Sequence, residues 1–146
     1  VLTVLRASGI VYSRTVEATR NFSLPKDFLR WHPTAHQSHG ILELADQFLG
    51  RNHPLDLFYL WGHSFEFERE SAPVTWNLIE EFCEKMSGND AIWYAANIEI
   101  YDYVMAQRSL YFSVDKDRVT NPSALSVWLL ADGVPVEIPG GTTKTL

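Results

Sequence analysis

Apolar residues along this chain switch repeatedly between helical and strand spacing, and the order of the segments predicts an α/β protein. Val1 to Ser8 reads as the end of a helix, with Val1, Leu2, Val4 and Leu5 apolar and Gly9 placed to stop it. Ile10 to Val16 follows as a β-branched strand. Asn21 to Gly40, which holds Pro25 and Pro33, keeps neither period and reads as a long loop. Ile41, Leu42, Leu44, Ala45 and Phe48 then share one helical face that Gly50 closes. Leu57 to Trp61 is an unbroken apolar run between Pro54 and Gly62, the pattern of a strand buried on both faces. Thr75 is placed to cap a helix whose Trp76, Ile79, Phe82, Cys83 and Met86 point inward. Ala91 to Tyr94 predicts another short strand. Glu99 to Leu110 predicts another helix, through Ile100, Tyr103, Val104 and Gln107. Helices alternating with strands in this way imply crossover βαβ units and a mainly parallel sheet.

The pattern changes after Leu110. Tyr111 to Val114, Ser126 to Leu130 and Val134 to Ile138 read as short strands, with Asp115 to Pro122 as a separator. Asp132-Gly133 predicts a tight hairpin turn, and Pro135 confines its strand to an edge or a bulge. The expected organisation is therefore an α/β body over residues 1–110 and a small antiparallel β appendage over 111–146.

Length and charge narrow the function. One domain with a sizeable core fits within 146 residues, and the net charge of -6 with no basic stripe argues against a nucleic-acid partner. Neutral carbohydrate or a small substrate fits better. Cys83 is the single cysteine, which excludes an internal disulfide and a thiolate metal cluster; its place in a helical pattern predicts buried filler. No apolar run is long enough to span a bilayer, and no signal peptide is visible; the compartment stays open.

His63, two residues beyond Trp61, falls at the carboxyl end of the predicted strand, where α/β folds bind ligands, as a candidate acid or base or as a hydrogen-bonded structural histidine. The long loop contributes Trp31, His32, His36 and His39. Two histidines four apart meet one metal ion if the backbone is helical, but Pro33 and the lack of an adjacent acidic ligand weigh against it. Arg14, Glu17 and Arg20 cluster near the end of their strand, either as exposed ion pairs or as substrate contacts. Glu66, Glu68, Arg69 and Glu70 read as a solvated charged loop.

Four segments carry a family likeness: Gly9-Ile10-Val11-Tyr12-Ser13-Arg14-Thr15, Leu57-Phe58-Tyr59-Leu60-Trp61-Gly62-His63-Ser64-Phe65-Glu66-Phe67, Trp76-Asn77-Leu78-Ile79-Glu80-Glu81-Phe82-Cys83 and Ile92-Trp93-Tyr94-Ala95-Ala96-Asn97. Together with Asn121-Pro122-Ser123 and Ile138-Pro139-Gly140, the chain resembles the carboxyl-terminal half of bacterial polysaccharide deacetylases of the carbohydrate esterase type. The resemblance implies a partial (β/α) barrel and metal-dependent hydrolysis of acetyl groups, typically N-acetyl, from carbohydrate. It implies a divalent metal, zinc above all, an aspartate base, and a histidine that protonates the departing amine. His63 matches that histidine. Trp31 and Trp61 would line the sugar site, with Arg14 and Glu17 as further substrate contacts.

Two family features are missing. There is no Asp-Asp pair, and His32 and His36, which reproduce a His-x-x-x-His spacing, come after the Gly9 to Thr15 match rather than before it and read as a decoy. No metal ligand is therefore assigned to this chain, and the metal-binding half is expected from a preceding segment or from another chain. A half-barrel would also expose apolar surface, giving self-association or association with the missing half. A catalytically inactive carbohydrate-binding or interaction module, with Trp31, Trp61 and Trp93 stacking on sugars, is the alternative. A self-contained zinc site drawn from His32, His36, His39 and His63 is a third.

Overall fold

The computed structural model describes residues 1–53, 55–68 and 74–146. Pro54, which was expected to bound a strand, and Arg69 and Glu70 of the predicted charged loop lie outside the described residues. The chain forms two compact units, Val1–Trp93 and Tyr94–Leu146.

In the first unit, α1 (Leu2–Ala7) ends at Ser8, followed by Gly9 at a φ of 72°. Residues Ile10 to Val16 do not form the expected strand. Among the described residues their only β pairing is an isolated parallel bridge from Arg14 to Trp31, flanked by Ser13 N–H to Phe28 O and Thr15 N–H to Trp31 O bonds. A strand needs a continuous partner, and Ile10, Val11 and Val16 instead remain exposed. The predicted loop is more ordered than its sequence implied. Asp27 caps a 3₁₀ turn at Phe28–Arg30 by accepting the Leu29 N–H at 2.9 Å, and the chain then enters β1 (Ala35–His36).

β1 pairs in parallel with β2 (Leu60–Trp61), in the register Ala35 to Leu60 and His36 to Trp61. Between them runs α2 (Ile41–Leu49), so β1, α2 and β2 form a crossover unit, but its first strand lies in the segment read as a loop and not at Ile10 to Val16. The apolar face of α2 buries Ile41, Leu44 and Ala45 against Phe22, Ala35 and Phe82, with Phe48, Phe58, Leu60, Leu78, Ile79 and Met86 packed around them.

α3 (Trp76–Met86) starts where expected: Thr75 Oγ1 accepts the Leu78 N–H at 3.2 Å. Its inward face is rotated from the expected one. Leu78, Ile79, Phe82 and Met86 reach the core, whereas Cys83 is exposed and is not buried filler. Helical spacing alone could not choose between the adjacent positions 82 and 83. The strand expected at Ala91 to Tyr94 is a turn, in which the Asn89 carbonyl accepts the Ile92 N–H and its side chain accepts the Ala91 N–H.

The second unit opens with α4 (Asn97–Arg108), where the Glu99 carboxylate accepts the Ala96 N–H at 2.6 Å. An antiparallel sheet follows, ordered β3 (Tyr111–Phe112), β4 (Arg118–Thr120) and β7 (Thr143–Thr145). β4 lies in the predicted separator, and β7 carries no apolar signal. β5 (Val127–Ala131) and β6 (Val134–Ile138) form the predicted hairpin, with Asp132 and Gly133 both at positive φ (52° and 80°) as a two-residue turn requires. Pro135 is tolerated because both strands of this pair are edges. Among the described residues the strands form three small sheets, none of them closed.

Candidate functional site

Parallel pairing brings the carboxyl ends of β1 and β2 together, and two histidines with them. His36 is the last residue of β1; His63 lies two residues beyond β2. Their rings are 6.3 Å apart, and the Trp61 ring contacts both edge-on, at 4.5 Å from His36 and 5.6 Å from His63. A 3₁₀ turn at Ser64–Glu68 follows, begun by the Glu66 N–H bonding to His63 O at 3.1 Å. Residues three apart come close in such a turn, which brings the Glu66 carboxylate to His63 Nδ1.

Glu66 is the centre of the cluster. Its Oε1 lies 3.4 Å from His63 Nδ1 and its Oε2 lies 3.2 Å from His36 Nε2. Gln37, only 4 % exposed, donates from its amide to Glu66 Oε2 at 2.6 Å and to the His63 carbonyl at 2.9 Å. Desolvation pushes the Glu66 carboxyl up, but the Gln37 hydrogen bond, the His36 charge and the His63 contacts outweigh it and hold the group below its ordinary value. His36 is lowered, first by burial; Glu66 opposes this, while His39, His63 and Arg14 add to it. Ser38 fixes the other face of His36, with Oγ at 2.9 Å and N–H at 3.3 Å from Nδ1.

Arg14 lies over the Trp61 ring, its guanidinium carbon 3.8 Å from the centroid. The rim of the cluster therefore joins two of the anticipated substrate residues. Trp61 Nε1 is buried without a hydrogen-bond partner among the described residues. Glu17 stands apart, exposed, with its carboxylate 3.7 Å from His32 Nδ1, which also contacts Thr15 Oγ1 at 2.8 Å. Trp31 is 1 % exposed and packed against Tyr12, Phe28 and Tyr59, so its ring faces are taken up by the core.

His32 and His36 do not converge. The chain between them runs beside β2 rather than coiling, as the Thr34 N–H to Tyr59 O and Gln37 N–H to Trp61 O bonds show. An extended chain separates residues four apart by roughly 13 Å. His36 nevertheless joins the cluster through its neighbour in the sheet, which its position in sequence did not reveal. Gln37 and Glu66 were also missed as site residues. The His-x-x-Glu spacing of His63 and Glu66 was the available signal for one of them; the charged surroundings pointed instead to a solvated loop.

Searches of protein families, curated proteins and solved structures find no match for this chain.

Proposed function

We propose that this chain is the carboxyl-terminal part of a metal-dependent carbohydrate deacetylase with a partial (β/α) barrel, and that His63 is its general acid. One arrangement supports the assignment: a half-exposed imidazole whose Nδ1 faces a carboxylate 3.4 Å away, itself anchored by a buried amide. A carboxylate at Nδ1 orients the ring and leaves Nε2 to hand a proton outward. Hydrolysis of an N-acetyl group adds the hydroxyl of water to the acyl carbon and breaks the carbon–nitrogen bond. The departing nitrogen takes its proton from His63. Arg14 and Trp61 border the position where the sugar ring would lie, and Glu17 lies farther out, beside His32.

The residues of this chain do not fit the family's catalytic metal. The Asp-Asp pair is absent, and His32 and His36 hold different partners, Glu17 and Glu66. In this proposal those ligands come from the amino-terminal part of the enzyme.

Acetate release from N-acetylated oligosaccharide, measured with the full-length protein, tests the assignment. His63→Ala should lower turnover by roughly 10²–10⁴-fold, the usual contribution of a positioned proton donor, while sugar binding persists. Undiminished acetate release by this variant would remove His63 from the mechanism. Sugar binding without any acetate release by the parent protein would instead favour an inactive binding module.

A further inference from the structure

The catalytic metal of the resembled family finds no ligands here, yet the chain has a donor set of its own. We propose that His36 Nε2, His63 Nδ1 and the Glu66 carboxylate form a separate divalent-cation site, suited to zinc, and that filling it withdraws His63 from proton transfer. All three donor atoms lie within 4.8 Å of one another. The Glu66 carboxylate approaches each imidazole at close to the edge of a zinc tetrahedron, through a different oxygen in each case: Oε2 is 3.2 Å from His36 Nε2 and Oε1 is 3.4 Å from His63 Nδ1. With metal–ligand distances of about 2.0–2.1 Å, that edge is roughly 3.3–3.4 Å. Two imidazoles and one carboxylate leave a fourth position for water, and nitrogen–oxygen sites of this kind favour zinc over calcium or magnesium.

The surroundings are already those of a ligand shell. Gln37 orients the carboxylate through its 2.6 Å bond, and Ser38 engages the remote nitrogen of His36. Ser38 N–H donates to His36 Nδ1, so the Nε2 proton faces Glu66, and a cation would take its place. Burial favours the neutral imidazole that a metal requires, as the downward shift of His36 reflects. Arg14 is the opposing charge, held on the Trp61 face rather than among the donors.

Coordination through Nδ1 also takes Glu66 away as the partner of His63. Zinc is therefore inhibitory at this site, a consequence that rests on the deacetylase assignment, whereas the binding does not.

Calorimetric titration of the chain with Zn²⁺ alone, with the histidine ring signals followed by NMR, tests binding without reference to activity. Saturable one-to-one binding is expected, with the His36 and His63 ring signals moving together. His36→Ala and Glu66→Gln should each weaken it by at least about tenfold, since even outer-shell losses cost that much. His39→Ala should not. Unsaturable uptake, or binding that His36→Ala leaves intact, would overturn the site. In the full-length enzyme already holding its catalytic metal, excess zinc should lower acetate release in the parent more than in His36→Ala. Equal inhibition in both would overturn the regulatory role while leaving the binding result standing, and absence of hydrolysis in the parent with its catalytic metal supplied and no excess zinc would count against the deacetylase assignment alone.

Discussion

Replacing Gly62 by alanine probes how the cluster is held. A Cβ built on Gly62 would lie 2.0 Å from Gln37 Oε1, 2.1 Å from its Cδ and 2.6 Å from its Cγ. Gly62 is not among the positive-φ glycines, so its backbone accepts alanine, and the three nearest atoms in conflict all belong to Gln37. That side chain has little room to yield. Its backbone N–H is tied to Trp61 O at 2.9 Å, and its buried amide is already committed to Glu66 and the His63 carbonyl. Overpacking of this kind costs about 1–3 kcal/mol. Losing the neutral bond to the His63 carbonyl adds about 1 kcal/mol. Against these stands the reduced freedom of the unfolded chain, about 0.4–1 kcal/mol in favour of alanine. The steric cost wins, and Gly62→Ala should destabilise the first unit by about 1–3 kcal/mol.

A double-mutant cycle isolates the cause. Gln37→Ala removes all three clashing atoms, so adding Gly62→Ala in that background should be neutral or slightly stabilising. The expected coupling is roughly 2–4 kcal/mol, read by urea unfolding with tryptophan fluorescence. The single variant should also lower the melting temperature by several degrees, at roughly 4–8 °C per kcal/mol for a unit of this size. An equal cost of Gly62→Ala in both backgrounds would refute the reasoning, because the penalty would then lie in the backbone and not in Gln37.

Acidity should weaken the first unit in two stages. His36 is depressed below 6.5, so the unfolded chain takes up that proton first; its contribution is complete above 6.5 and is lost as pH falls through the folded value. Glu66 is depressed below 4.5, so its contribution is present above 4.5 and disappears as pH falls through its folded value. Melting temperatures taken across this range should decline below 6.5, and His36→Gln should flatten that first decline; an unchanged slope in the variant would exclude His36 as its source. In the second unit, fully buried Asn121 donates to Leu125 O and Ile138 O at 2.7 and 2.9 Å and accepts from Ser123 N–H and Oγ. Asn121→Ala should cost about 2–4 kcal/mol in urea unfolding, because several buried partners are stranded at once; a loss below about 0.5 kcal/mol would contradict this.

Local signals in the sequence determined the helices and the hairpin. Thr75 capping α3, the apolar face of α2 and the Asp132-Gly133 turn each depend on residues within a few positions of one another, so pattern alone located them. Strands were less legible, since a β-branched run such as Ile10 to Val16 becomes a strand only if a neighbour pairs along its length. His63 was visible as the residue following an apolar run, but its company was not. Glu66 looked solvated, His36 looked misplaced in order, and Gln37 gave no signal. Their convergence was decided by the parallel pairing of His36 with Trp61, which joins segments 26 and 29 positions apart in the Gln37 bonds to His63 and Glu66. Helix caps and turns are encoded by neighbours along the chain, whereas this cluster exists only once two distant strand ends are set side by side.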